Sequence, residues 1–145
     1  MSKITKIRAR QVFDSRGNPT IEAEAYSKNL SASAICPSGA STGTYEAFEK
    51  RDRGNKKYLG KSVLSGVNLI NTKISKKLKG TSVHDQVRID TTLINLDGTR
   101  QKTSLGANTM LAVSMATKKL SAKIKNVPLY KTFLVKKNFK LPYPL

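Results

Sequence analysis

A chain of 145 residues with 38% hydrophobic content can form one domain with its own core, and regular apolar patterning along most of it excludes general disorder. A single cysteine (Cys36) and a single histidine (His84) exclude an internal disulfide framework, a CxxC zinc ribbon and a His-cluster metal site, and they argue against a hydrolytic triad confined to this chain. With 27 Lys+Arg against 9 Asp+Glu, the chain carries a formal net charge of +18.

The first third reads as β. Ile7, Ala9, Gln11 and Phe13 alternate with Arg8, Arg10 and Val12, which predicts a strand over 6–13 with one covered face. The run Asp14-Ser15-Arg16-Gly17-Asn18-Pro19 is dense in turn formers and reverses the chain. Ile21, Ala23 and Ala25 then alternate with Thr20, Glu22 and Glu24 over 20–26. Leu30 to Ile35 repeats the pattern with Ala32 and Ala34. Three strands joined by short turns predict an antiparallel meander.

The remainder reads as α. Val63, Val67, Ile70, Ile74 and Leu78 recur at helical spacing up to Gly80. A second helix is expected over 85–96, with Val87, Leu93 and Ile94 available for burial and Asp97-Gly98 as its stop. A third is expected over 107–124, ended by Asn126 and Pro128, and Leu129 to Phe133 adds a short helical turn. The expected fold class is therefore α+β, a three-stranded antiparallel meander followed by a helical bundle over 1–135. The proline-bearing tail KKNFKLPYPL, 136–145, reads as a linker entering a domain that is absent. No stretch approaches roughly 18 uncharged apolar residues, so no membrane partner is expected. The N-terminus MSKITKIRARQVFDSRG lacks the apolar core of a signal peptide, so the expected location is the cytoplasm.

Between the strands and helices lies Pro37-Ser38-Gly39-Ala40-Ser41-Thr42-Gly43. Its glycines allow close approach to a ligand, and the hydroxyls of Ser38, Ser41 and Thr42 suit a hard cation or a phosphate. A flexible connector is the alternative on spacing alone. The segment is not a P-loop, because GASTG lacks the lysine and its spacing. Glu46, Glu49 and Asp52 follow at helical spacing and are expected to form surface ion pairs with Lys50, Arg51 or Arg53. His84, beside Asp85 at a helix start, suits local capping, and Cys36 suits a small buried side chain.

The acids are unevenly placed. None lies between Arg53 and His84, where eight basic residues sit, and none follows Asp97, where ten do. Two readings stand: a surface for a polyanion, or lysines colouring solvent-facing positions. Aromatic residues are scarce among the lysines, so nucleic-acid binding is expected to be weak and salt-sensitive.

Six runs occur in one order: VFDSRGNPTIEAE (12–24), PSGASTGTYEAFEKRD (37–52), YLGKSV (58–63), IDTTLINLDGT (89–99), SLGANTMLAVSMA (104–116) and LPYP (141–144). Together they are spread from residue 12 to residue 144 of the chain, which resembles the N-terminal domain of the enolase family. The departures are Lys50 where the family usually has Leu, Ser62 where it has Gly, LPYPL for an LPVPM-like linker, and Arg53-Gly54-Asn55 after the RD pair.

The resemblance implies a cytosolic glycolytic lyase that interconverts 2-phosphoglycerate with phosphoenolpyruvate and water. Two magnesium ions and a lysine base on a C-terminal barrel of roughly 250 residues would carry the chemistry. For this chain it implies a share in closure. Ser41 would bind the second Mg2+ through its hydroxyl and carbonyl, and Ser38, Gly39, Ala40, Ser41, Thr42 and Gly43 would form the active-site loop. Arg10 and Glu22 would form cross-subunit ion pairs of a homodimer. The fragment alone would be inert. The runner-up is a free-standing basic module that binds nucleic acid or another polyanion.

Overall fold

Period-two alternation builds the first layer. The computed structural model describes residues 2–39, 41, 43–54 and 56–133. Strands β1 (Lys6–Phe13), β2 (Pro19–Ser27) and β3 (Leu30–Cys36) form one antiparallel sheet in the order β1-β2-β3. The register places Arg10 opposite Glu22 and Ala23 between Ala9 and Ala34. Ile7, Ile21, Ala23, Ala25 and Ala34 are turned into the core. Small alanines on this face let a helix approach closely.

The helices cover that face. The segment expected to be one helix from Val63 to Leu78 is α1 (Leu64–Leu69), a π-helical turn (Ile70–Ile74) and α2 (Ser75–Leu78) in succession. It runs along β1, whose outer edge it closes. The Ala9 amide donates to Asn71 Oδ1 at 2.8 Å while Asn71 Nδ2 donates to the Ala9 carbonyl at 3.0 Å, and the Ile7 amide donates to Ser75 Oγ at 3.1 Å. An edge satisfied in this way no longer templates pairing with another chain.

Helix α3 (Gln86–Asp97) is capped by Asp85, whose Oδ1 accepts from the Arg88 amide, and stopped by Gly98 at φ 71°. Helix α4 (Ala107–Ile124) matches its expected bounds and lies across β2 and β3. A short 3-10 turn (Leu129–Phe133) follows, as expected. Ile21, Ile70, Ile74, Leu78, Ile89, Leu93 and Leu120 fill the space between the layers, at about 1.5–3 kcal/mol each for full burial. The α+β class and the meander followed by helices stand as expected. The boundary at 135 and the linker 136–145 lie outside the described residues.

Three expectations are corrected. Val87 and Ile94 are not buried: they are 78% and 47% exposed, and Ile89 joins Leu93, buried as expected, in the core. The interior stripe of α3 runs 89, 93 and 96, with Leu96 partly buried, so a helix carrying Ile89 inward must carry Val87 outward. His84 does not cap a helix; its Nδ1 meets Ser121 Oγ of α4 at 2.8 Å, and Asp85 does the capping.

The third correction concerns Glu46, Glu49 and Asp52, which lie in irregular chain and not in a helix. The backbone there is claimed by distant groups. The Phe48 amide donates to the Gln101 carbonyl at 2.8 Å, and the Ala107 amide donates to the Phe48 carbonyl at 2.8 Å. Asn108 accepts from the Lys50 amide and donates to its carbonyl. Amides and carbonyls committed to these distant partners are lost to helical bonding. The close approach needs Gly106, at φ 90°, where a Cβ would stand 2.4 Å from Lys50 Cβ.

Candidate functional site

The sheet delivers the small-residue loop. β3 ends at Cys36, and Pro37, lacking an N–H, cannot extend the ladder. The chain then leaves the sheet through Ser38 and Gly39, turns at Ser41 and re-enters described structure at Gly43. Ser41 is exposed, and no described residue hydrogen-bonds its hydroxyl. Ala40 and Thr42, expected members of the same loop, lie outside the described residues.

The root of the loop is tied down from several directions. The Arg16 guanidinium, held on the β1–β2 turn, donates through Nη2 to the Ser38 carbonyl at 2.6 Å and the Gly39 carbonyl at 3.3 Å. Ser38 Oγ donates to Glu49 Oε1 and accepts from Arg51 Nη2 at 2.6 Å. Arg51 Nη2 also pairs with Glu49 at 2.9 Å, and its Nη1 reaches the carbonyls of Pro19, at 3.2 Å, and Lys61. On the return side, the Gly43 amide donates to Glu46 Oε2 at 3.0 Å. The expected Glu49–Arg51 ion pair is therefore present, but it belongs to the loop.

Asp14 shapes the turn that carries Arg16. Its Oδ1 accepts from the amides of Arg16 and Asn18, both at 2.9 Å, and these bonds hold its carboxyl below the ordinary range. Asp52, the third acid, accepts from the Leu64 and Ser65 amides and serves as the acidic group that α1 lacks in its own first turn.

Beside the loop lies a groove of about 560 Å3, lined in part by Cys36, Ser38, Gly39, Gly43, Glu49 and Arg51. Burial, reinforced by the Glu49 charge, pushes the Cys36 thiol up and leaves it a poor nucleophile. Cys36 is partly buried against the core, not fully enclosed. Among the described residues no three His, Cys, Asp or Glu side chains converge on one point. Ser41 offers hard oxygen donors, the kind a magnesium ion takes.

Arg10 and Glu22 sit opposite each other in the β1–β2 register, on the sheet face away from the core. Arg10 Nε lies 2.6 Å from Glu22 Oε2 within the one chain. Sequence reasoning missed Arg16 and Arg51 as loop-holding groups. Both stand inside the motif runs, each within two residues of an acid, and that pairing is the signal the sequence carries.

Residues 4–133 match the family described as Enolase, N-terminal domain. The chain belongs to that family. It is 86% identical over all 145 of its residues to the enolase of Pelagibacter ubique (strain HTCC1062). It is 49% identical over 142 residues, 98% of its length, to the enolases of Methanosarcina mazei and of Methanosarcina acetivorans. The chain spans 35% of the length of the Pelagibacter enolase and 33% of each Methanosarcina enolase. An enolase N-terminal domain accounts for the meander, the helices and the small-residue loop together, and the reading as a free-standing nucleic-acid module is not supported. Among the described residues, no helix is long and apolar enough to cross a membrane.

Proposed function

We propose that this chain is the N-terminal part of a cytoplasmic enolase, which reversibly dehydrates 2-phosphoglycerate to phosphoenolpyruvate in glycolysis. The observation that carries this reading is the 86% identity to the Pelagibacter enolase over the whole chain. The chain's own contribution is positional. Ser41 offers its hydroxyl and carbonyl as magnesium ligands, and the loop from Ser38 to Gly43 covers the substrate and excludes water. Magnesium, when bound, offsets negative charge near the substrate carboxylate and so favours loss of the carbon proton.

Acid–base groups for that proton come from elsewhere in the longer protein. The single histidine here, His84, is engaged with Ser121, and the Cys36 thiol is held protonated. On this reading the chain alone is inert. Arg10 and Glu22, paired within one chain, lie on the face that would meet a second subunit and would exchange partners across a homodimer.

The test is a chimera in which this chain replaces the matching third of the Pelagibacter ubique enolase. The chimera is expected to form phosphoenolpyruvate from 2-phosphoglycerate with added magnesium, and the isolated chain is expected to form none. A folded chimera without turnover overturns the proposal.

A further inference from the structure

We infer that the outer side of the α3–α4 pair is a docking face for the rest of the longer polypeptide, an apolar surface of which closes over Val87, Ile94, Leu111 and Met115. The inference rests on reading this chain as one part of a longer enolase. These four side chains are 78%, 47%, 51% and 37% exposed. Gln86 of α3 and Ser114 of α4 meet across the seam between the helices, where Gln86 Nε2 donates to the Ser114 carbonyl at 3.2 Å and to its Oγ at 3.0 Å. At roughly 100° per residue, the buried Ile89 and Leu93 lie to one side of Gln86, and Val87 and Ile94 lie to the other. On α4 the buried Val113 and Thr117 lie to the core side of Ser114, and Leu111 and Met115 lie to the opposite side. The two apolar pairs therefore flank one seam on its solvent side.

The surrounding surface is basic, and this face is not. The chain carries 27 Lys+Arg, yet the four exposed positions are all apolar. Lys118, next on the α4 stripe, has its ammonium engaged elsewhere: it donates to the Thr132 carbonyl at 3.3 Å and lies 4.7 Å from the centre of the Phe133 ring. Asp90 Oδ1 accepts from Gln86 Nε2 at 3.0 Å. Charged groups beside the seam are thus drawn into contacts within the chain, while the apolar side chains stand uncovered, as they do where a second surface packs. Two facts select the occupant. About two thirds of the Pelagibacter enolase lies outside the match to this chain, so a large body of protein is available to cover the face. Leu111 also lines the groove beside Ser38, Gly43 and Glu49, so the face adjoins the place where the remaining catalytic groups are proposed to approach.

The experiment is oxidation of Met115 to the sulfoxide by hydrogen peroxide, resolved from the buried Met110 by tandem mass spectrometry. It is run on the 145-residue chain and on the chimera with the Pelagibacter enolase. In the chain alone Met115 is expected to react faster than Met110, and in the chimera Met115 is expected to slow at least about tenfold. The Ile94→Lys/Leu111→Lys double variant is expected to leave the unfolding midpoint of the isolated chain unchanged. In the chimera it is expected to lower the midpoint and return Met115 to the rate of the isolated chain.

Equal Met115 rates in the chain and the unsubstituted chimera would overturn the inference, and that comparison needs no variant to fold. Protection of Met115 in the isolated chain, with a dimer in sedimentation equilibrium, would assign the face to a second copy and overturn it as well. Turnover keeps the two readings apart. An active chimera with unprotected Met115 sinks the docking face and leaves the enolase reading standing, whereas a protected Met115 in an inactive chimera does the reverse.

Discussion

His84 Nδ1 lies 2.8 Å from Ser121 Oγ, fastening the turn before α3 to the final third of α4. Burial lowers the His84 pKa, and the Lys125 and N-terminal charges add to that effect. The unfolded chain therefore takes up this proton at higher pH than the folded chain does. The stability His84 contributes is complete above the ordinary histidine value of about 6.5 and is lost as pH falls through it toward the folded value. Thermal unfolding followed by circular dichroism at about pH 7.5 and about pH 5.5 checks this. His84→Gln is expected to show a smaller loss across that interval than the unsubstituted chain. Because His84 is an exposed residue, the difference will be small.

A steeper acid arm follows from the carboxylates. Burial alone would raise Asp97, but the Leu105 amide at 2.7 Å, with the Thr99 hydroxyl and amide, outweighs it and holds the group low. Asp52 is likewise raised by burial and lowered further by hydrogen bonds from Ser65, Ser62 and Leu64. Their stabilising effect is present above the ordinary carboxylate range and disappears as pH falls through the depressed folded values. Asp97→Asn is expected to cost about 1.5–3 kcal/mol near neutral pH and to flatten the acid arm, measured by urea unfolding across pH.

The phase of α3 gives a test of packing. Ile89→Ala removes a fully buried side chain and is expected to cost about 2–5 kcal/mol. Val87→Ala, on the exposed stripe, is expected to stay within about 0.5 kcal/mol. Equal costs in urea unfolding would mean that the helix is rotated from the position described.

What the sequence disclosed and withheld follows from the range of the interactions. The strands and α4 were legible because alternation and the 3.6-residue period are local signals, and each held to within a residue or two. The phase of α3 was not, because Val87, Ile89, Leu93 and Ile94 offer two apolar stripes, and only contact with α4 and α2 selects one. The irregular course of 46–52 was hidden for a related reason. Its hydrogen-bond partners, Gln101 and Asn108, lie more than fifty residues away. The small-residue loop was visible as composition, while its anchors emerged only when Arg16 and Arg51, distant in sequence, met at Ser38.

Magnesium binding separates a shared site from a complete one. With no three converging His, Cys, Asp or Glu side chains among the described residues, the isolated chain is expected to bind magnesium on the order of millimolar or weaker by calorimetry. Micromolar binding that disappears in Ser41→Ala would mean that this chain holds a metal by itself.

The most direct test of the central claim is turnover of 2-phosphoglycerate by the Pelagibacter chimera with Ser41 and with Ser41→Ala. The account predicts an active chimera whose kcat falls by about a hundredfold or more in the variant, with its unfolding midpoint unchanged, since an exposed hydroxyl does little for stability. A chimera that folds yet is inactive, or one indifferent to the loss of Ser41, would contradict it.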